Sequence, residues 1–208
     1  GGYTITMPEN TNYIGQPTRL NGEIKPLLDR KLWSEPADIV VNQHNSGKPI
    51  FPFVVMTAAE SHFMIAEAIT KGLASGDAQN HYQTAIRHAM QLWDVAGGDI
   101  DTYLANEDMA KLNGSTDQNL EKIATQRWMA LFTNGFEAWA VVRDTGYPTE
   151  LSAGVSDDDI FVLGDLNGAY PQRMRYGSGP YNTNAANVEA AASVQGPDRQ
   201  GTKLWWAK

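Results

Sequence analysis

Residues 57–72 read TAAESHFMIAEAITKG, and this stretch decides the fold class. Thr57 followed by Glu60 is a capping box, in which two side chains satisfy free backbone amides at the start of a helix. Apolar residues then recur every three or four positions, as on one helix face: Met56, Ala59, Phe63, Ala66, Ile69 and Leu73. Because glycines follow at positions 72 and 76, the pattern predicts a helix from about 58 to 72.

A second helix is predicted directly after the first. Asp77 is a suitable cap, and Gly97-Gly98 are expected to close the helix. Its apolar stripe consists of Ala78, Tyr82, Ala85, Ile86, Ala89 and Trp93. The short connection makes the two helices a hairpin, and the small, large, small spacing at its start is typical of the second helix of a tetratricopeptide repeat.

Two more helices are predicted after the hairpin. Asp101 is expected to start a short helix that reaches about Leu112. Ser115 with Gln118 forms another capping box, and the helix behind it extends to Asn134. The apolar face of that helix is formed by Leu120, Ala124, Trp128 and Leu131.

A last helix completes a helical block over residues 56–146. It is expected to end at Gly146 and carries Phe136, Trp139, Ala140 and Arg143. The flanking stretches 1–55 and 147–208 are rich in glycine and proline and show no sustained apolar period. Within the second of them, only Val188–Ser193 is predicted to be helical.

The ends of the chain support two further expectations. Trp205 and Trp206 are costly to leave in water, so the tail is expected to fold back onto the helices and bury them. Fifty-odd irregular residues at the start of a compact domain are uncommon. We therefore expect the chain to be a fragment whose amino-terminal part lies upstream.

Composition excludes several classes of function. Sixteen basic against twenty-four acidic residues give a net charge of -8, which disfavours nucleic acid and anionic lipid as partners. The absence of cysteine excludes disulfides, thiolate metal sites, a cysteine nucleophile and lipid attachment through cysteine within this stretch. No run of about 18 apolar residues is present, so the sequence predicts no membrane-spanning helix.

Metal chemistry finds little support in the residue spacing. His81 and His88 lie seven residues apart, about 10.5 Å along a helix at about 1.5 Å per residue, which is too far for one ion. The spacing favours solvated or capping histidines. Residues 157–159 are all aspartate and offer oxygen ligands for calcium, but they do not fit the twelve-residue EF-hand loop. An exposed acidic loop is the preferred interpretation, and calcium binding stays open.

Catalytic motifs are also missing. The chain has no G-x-S-x-G elbow and no G-x-G-x-x-G turn. Glu60 and Glu67 lie on the same predicted helix. Glu60 caps the start of that helix and Glu67 lies seven residues further along it, so the two carboxylates are a poor acid and base pair for cleaving a sugar. Arg143 and Arg173 are interpreted as structural residues that bond carbonyls and a carboxylate to hold loops. No enzyme activity and no cofactor are therefore predicted.

Several motifs together resemble the carboxy-terminal part of SusD/RagB proteins, specifically the SusD-like subgroup of outer-membrane lipoproteins that bind nutrients in Bacteroidetes. Their order over about 150 residues carries the resemblance. The motifs are Thr57 to Ala68, Gly72, Tyr82 to Ile86, Ile123 to Phe132, Gly135 to Trp139, Arg143 to Pro148, Pro171 to Arg173, Asn184, Asn187 and Thr202 to Trp206.

The resemblance implies both a fold and a function. The fold is mainly α, with tetratricopeptide-like helical hairpins and extensive irregular loops. The function is non-catalytic capture of an oligosaccharide, or in some members a peptide, at the cell surface. The ligand then passes to a SusC-type TonB-dependent transporter, and the protein is held on the outer membrane by a lipid anchor outside this chain.

Ligand-binding aromatic residues of this family come partly from loops before the matched helices. In that part of the chain we predict Trp33 as the principal contact, supported by Tyr13, Arg19, Asn21 and His44. Flat aromatic faces suit the C–H faces of sugar rings, and the polar side chains suit their hydroxyls. These positions follow from composition and location, since no binding motif matches there residue by residue.

Two other functions compete with glycan capture. Helical hairpins form concave faces that bind peptides, so the chain is alternatively a peptide- or protein-binding helical-repeat module. A hydrolase is the third possibility and has the least support, because no catalytic motif is present. Sugar identity is not encoded in any recognised motif.

Overall fold

The computed structural model describes residues 15, 22–23, 34, 36, 40 and 54–207. The chain divides into two compact units. One comprises Gly1–Phe53 and Val155–Gly168, and the other comprises Val54–Gly154 and Ala169–Lys208. The described part is mainly helical, as the sequence predicted, and its longer helices belong to the second unit.

The predicted hairpin is confirmed. Helix α1 spans Ala58–Thr70, and the Thr57 hydroxyl accepts a hydrogen bond from the Glu60 amide at 3.1 Å. Helix α2 spans Ala78–Leu92, and the Asp77 carboxylate accepts from the Asn80 amide at 3.0 Å. Both helices therefore begin at the residues whose side chains cap them.

The core lies where α1 meets α2. Phe63 and Tyr82 are fully buried, with ring centroids 6.0 Å apart in an edge-to-face arrangement. Burial of one such side chain contributes about 1.5–3 kcal/mol. Alanines on both helices let the backbones approach, and neighbouring helices complete the core; its other buried members are Ala59, Ala66, Ala85, Ile86, Ile100, Leu104, Ala110 and Ile123.

The third helix starts earlier than the sequence predicted. Helix α3 spans Gly97–Asn106, and a short 3₁₀ turn follows at Asp108–Ala110. The expectations that Gly97-Gly98 close α2 and that a helix extends to Leu112 were therefore wrong. Glycine is tolerated in the first turn, and burial of Ile100 and Leu104 stabilises the helix around it.

The next helix starts as predicted but ends at Ala130, before the predicted Asn134, whereas the helix after it ends as predicted. Helix α4 spans Thr116–Ala130, and the capping box between Ser115 and Gln118 is complete in both directions. Helix α5 spans Gly135–Thr145 and is followed by Gly146 in the left-handed conformation, at φ +76°. A short helix, α6, covers Thr149–Ser152.

The tail holds a long helix that the sequence analysis missed. Helix α7 spans Ser178–Gln195, with non-helical backbone angles at Asn184, whereas only Val188–Ser193 was predicted to be helical. Its sequence is rich in alanine, which favours helix by intrinsic propensity and leaves little apolar period to detect. Val188 is its buried residue.

The two terminal tryptophans are exposed, so their predicted burial was wrong. Trp205 is 75% exposed and Trp206 is 60% exposed. Their rings meet edge to face, with centroids 5.4 Å apart, so each indole covers part of the other. Among the described residues, no helix combines the length and the apolar character needed to cross a membrane.

Candidate functional site

The predicted ligand contacts fall outside the part of the chain that the structure describes. This applies to all of them: Trp33, Tyr13, Arg19, Asn21 and His44. Their assignment stays a prediction. The described residues form the helical scaffold. They also place polar side chains next to each other whose proximity the sequence analysis did not predict.

The first polar arrangement fixes the tail to α5. Trp139 donates from its indole Nε1 to the Pro171 carbonyl at 2.8 Å, and Arg143 donates to the Gln172 carbonyl at 3.2 Å. The guanidinium of Arg143 also lies over the Trp139 ring, 4.7 Å from its centroid. The tail segment at 171–172 is thereby bonded to one face of the helix.

The second arrangement is a buried ion pair within the tail. Arg173 and Asp198 lie 2.9 Å apart, and each side chain is only 6% exposed. Asp198 also accepts hydrogen bonds from the Tyr176 amide and the Tyr181 hydroxyl. The bond to Asp198 raises the pKa of Tyr181. The prediction that Arg143 and Arg173 hold loops through carbonyls and a carboxylate is confirmed.

The carboxylates on α1 serve a structural role too. Arg127 of α4 lies 3.5 Å from Glu60 and 3.7 Å from Glu67, so one guanidinium joins two turns of α1. Charged groups engaged with one another in this way hold helices together. The arrangement supports the sequence-based view that the two glutamates are not an acid and base pair across a sugar.

Three imidazoles meet on the hairpin, and we name them the histidine cluster: His62 of α1 with His81 and His88 of α2. His62 Nδ1 lies 2.8 Å from His81 Nδ1. The ring of His62 also stacks on His88, with centroids 5.8 Å apart and an interplanar angle of 27°. Burial, and then the proximity of His81 and His88, lower the pKa of His62.

Sequence reasoning missed this cluster because it compared positions along one helix. The two histidines of α2 are indeed separated by two turns, but His62 fills the gap from the facing helix. Only the register in which the two helices of the hairpin pack would have predicted this contact. In the part of the chain that the structure describes, no group of three metal-ligating side chains has a geometry that could hold an ion.

The acidic loop of the other unit caps its own backbone. One oxygen of Asp157 accepts hydrogen bonds from the amides of Asp159 and Ile160, at 3.0 and 3.3 Å. The loop is closed by a 3.0 Å bond from the Val155 amide to the Gly168 carbonyl. This geometry accounts for an aspartate at the start of the acidic run without any ligand.

Comparison with known proteins identifies the family. A SusD-like family model, described as starch-binding associating with outer membrane, matches residues 8–177. The chain therefore belongs to the SusD-like family, whose members are binding proteins associated with the outer membrane. This confirms the resemblance found in the sequence. No curated protein sequence matches the chain.

Solved structures agree with the family assignment. A SusD-like protein from Bacteroidetes is 27% identical, with a TM-score of 0.65, over 74% of this chain and 30% of its own. A SusD homologue from Bacteroides uniformis is 30% identical, with a TM-score of 0.63, over 76% and 37%. A chitin-binding protein is 26% identical, with a TM-score of 0.60, over 72% and 32%.

These structures are much longer than the part they share with this chain. The chain spans about a third of each, from 30% to 37% of their lengths. The mainly helical, SusD-like fold predicted from the sequence is confirmed by this similarity.

Proposed function

We propose that this chain is the carboxy-terminal part of a non-catalytic glycan-binding protein. The protein captures an oligosaccharide at the cell surface and delivers it to a SusC-type TonB-dependent transporter in the outer membrane. It is held there by a lipid anchor that lies outside this chain. The observation that carries the proposal is the family match over residues 8–177.

The chemistry of the predicted contacts supports a sugar as the ligand. Trp33 supplies a flat apolar face for a pyranose ring, and Tyr13 supplies a second aromatic surface. Arg19, Asn21 and His44 supply donors and acceptors for hydroxyl groups. One of the similar solved structures is a chitin-binding protein, which supports a glycan over other nutrients.

Calorimetric titration of the complete protein against a panel of polysaccharides and peptides tests the proposal. We expect a glycan to bind, and Trp33→Ala to weaken that binding roughly fivefold or more, since loss of one aromatic stacking surface costs about 1–3 kcal/mol. Trp205→Ala is the matched control, because that indole is exposed in the tail. Its affinity should equal that of the unaltered protein.

The possible outcomes test the proposed function and the predicted binding residue separately. Glycan binding that survives Trp33→Ala contradicts the assignment of Trp33 but leaves glycan capture intact. Absence of binding to every glycan contradicts the proposed function. Release of reducing ends during incubation would instead point to a hydrolase.

A peptide- or protein-binding module is the alternative function. Exposed apolar side chains around the junction of α4 and α5 favour it: Met129 is 44% exposed, Phe132 is 51% exposed and Phe136 is 72% exposed. Exposed apolar groups of this kind often contribute to protein interfaces. Binding of peptides but not glycans in the same titration would support this alternative.

A further inference from the structure

The histidine cluster joins the two helices of the hairpin through three imidazole side chains. His62 comes from α1, whereas His81 and His88 come from α2. The 2.8 Å separation between the Nδ1 atoms of His62 and His81 is a hydrogen-bond distance. Each of these two residues directly precedes a core aromatic residue, Phe63 or Tyr82.

The bond between the two rings constrains their protonation. A neutral imidazole has one donor nitrogen and one acceptor nitrogen, whereas an imidazolium has two donors and no acceptor. At least one of His62 and His81 must therefore be neutral for the bond to exist. A second proton would replace the bond with repulsion between two cations in contact.

The charged groups close to the hairpin are mostly engaged elsewhere. Glu60 and Glu67 of α1 face Arg127 of α4, and Lys71 also contacts Glu67. On α2, Arg87 pairs with Asp101 of α3. The Asp77 carboxylate, four residues before His81, accepts from the Asn80 amide. Lys122 of α4 pairs with Asp108 of the 3₁₀ turn, and the remaining charged groups on the packed helices are Asp99, Asp117 and Glu121.

Burial of its ring is the largest cause of the lowered pKa of His62. Among the described residues, the electrostatic effects on His62 come from the two other imidazoles of the cluster, and burial of the ring acts in the same direction. Both lower its pKa, so the unfolded chain binds more protons than the folded chain at mildly acidic pH. Stability is then fully present above the ordinary histidine pKa and is lost as the pH falls through that range.

We propose that the histidine cluster is a proton-sensitive contact that loosens α1 from α2 as the pH falls from neutral to mildly acidic. The groups next to it in sequence belong to the core, so its opening weakens the packing of Phe63 against Tyr82. The proposal concerns the scaffold and does not depend on the identity of the bound nutrient.

The first experiment follows the imidazole resonances by NMR between about pH 8 and pH 5, around the ordinary histidine pKa. His88→Gln removes one neighbour of His62 at an exposed position, so this variant should fold. We expect it to move the His62 titration upward, toward the ordinary value. Asp101→Asn alters an exposed ion pair on α3 and should leave that titration unchanged. A His62 titration that is insensitive to His88→Gln overturns the proposal.

The second experiment measures urea unfolding of the complete chain at about pH 7.5 and about pH 5.5, on either side of the ordinary histidine pKa. The unfolding constant of the unaltered protein should rise several-fold on acidification. His62→Gln and His88→Gln should each reduce this rise, and comparing the two pH values within each variant cancels any change in its basal stability. The proposal is contradicted if both variants show the same rise as the unaltered protein, or if Asp101→Asn reduces the rise as much as they do.

Discussion

The Nη2 atom of Arg173 lies 2.9 Å from Asp198 Oδ1, and water reaches neither side chain to any extent, since each is 6% exposed. Asp198 joins several parts of the tail, because it also accepts hydrogen bonds from the Tyr176 amide and the Tyr181 hydroxyl. A buried carboxylate with several donors holds separate parts of the chain at one point.

Asp198→Asn should be strongly destabilising. The change leaves the Arg173 cation buried without its counter-charge, which typically costs about 3–5 kcal/mol. Urea unfolding measures the global loss, and limited proteolysis shows whether the tail opens first. Asp101→Asn is the matched control, because Asp101 pairs with Arg87 at an exposed site, and its loss should cost about 0–1 kcal/mol. Similar losses in the two variants would contradict the role of burial.

Tyr82→Phe should destabilise the core without leaving a cavity. The Tyr82 hydroxyl is buried, which raises its pKa strongly, and it bonds to the carbonyls of Met109 and Lys122. Removing it takes one buried donor away from both carbonyls, at a cost of about 0.5–1.5 kcal/mol in urea unfolding. Tyr176→Phe is the control, since its hydroxyl makes a long contact of 3.4 Å to Gln195. Equal stability of Tyr82→Phe and the unaltered protein would exclude this role.

Ser115→Ala should weaken the start of α4. Ser115 accepts from the Gln118 amide and its own amide donates to the Gln118 side chain, so two free backbone donors are satisfied together. Loss of this cap should cost about 0.5–2 kcal/mol in thermal or urea unfolding. Ser193→Ala serves as control, because its hydroxyl bonds only to a carbonyl of its own helix in an exposed position. A larger loss in the control would disprove the capping argument.

Two glycine variants should differ in severity although their backbone angles are alike. Gly146 and Gly168 have φ values of +76° and +79°. A Cβ at Gly146 meets no atom within 4 Å, whereas a Cβ at Gly168 would lie 1.7 Å from the Val155 carbonyl oxygen. Gly146→Ala should cost about 1–2 kcal/mol for the left-handed conformation alone.

Gly168→Ala should in addition break the bond that closes the acidic loop. Hydrogen exchange at the Val155 amide measures this opening, which should be faster than in Gly146→Ala. Unchanged protection of that amide in Gly168→Ala would show that the loop accommodates the side chain.

Helices with side-chain caps were the most predictable part of the fold. Thr57, Asp77 and Ser115 mark helix starts in the sequence and in the structure alike, because a cap is a local interaction. Helices α3 and α7 were predicted poorly. One begins with two glycines and the other is rich in alanine, so neither carries a strong apolar period near its start.

Contacts between helices were harder to predict from the sequence. The separation of His81 from His88 was judged correctly along the helix, but His62 approaches from a position 19 residues before His81. Contacts across such a separation depend on how two helices pack, which a pattern within one helix does not specify. The loop-holding roles of Arg143 and Arg173 were predicted because a buried guanidinium needs acceptors wherever it lies.

The exposed pair at Trp205 and Trp206 has a consequence for optical measurements on this protein. Both indoles lie largely in water, whereas Trp93, Trp128 and Trp139 are half-buried. Acrylamide should therefore quench the terminal pair first, and their red-shifted emission forms a constant background. Replacing both with phenylalanine would remove that background and make any change in the fluorescence of Trp33, the predicted contact, easier to detect when candidate ligands are added.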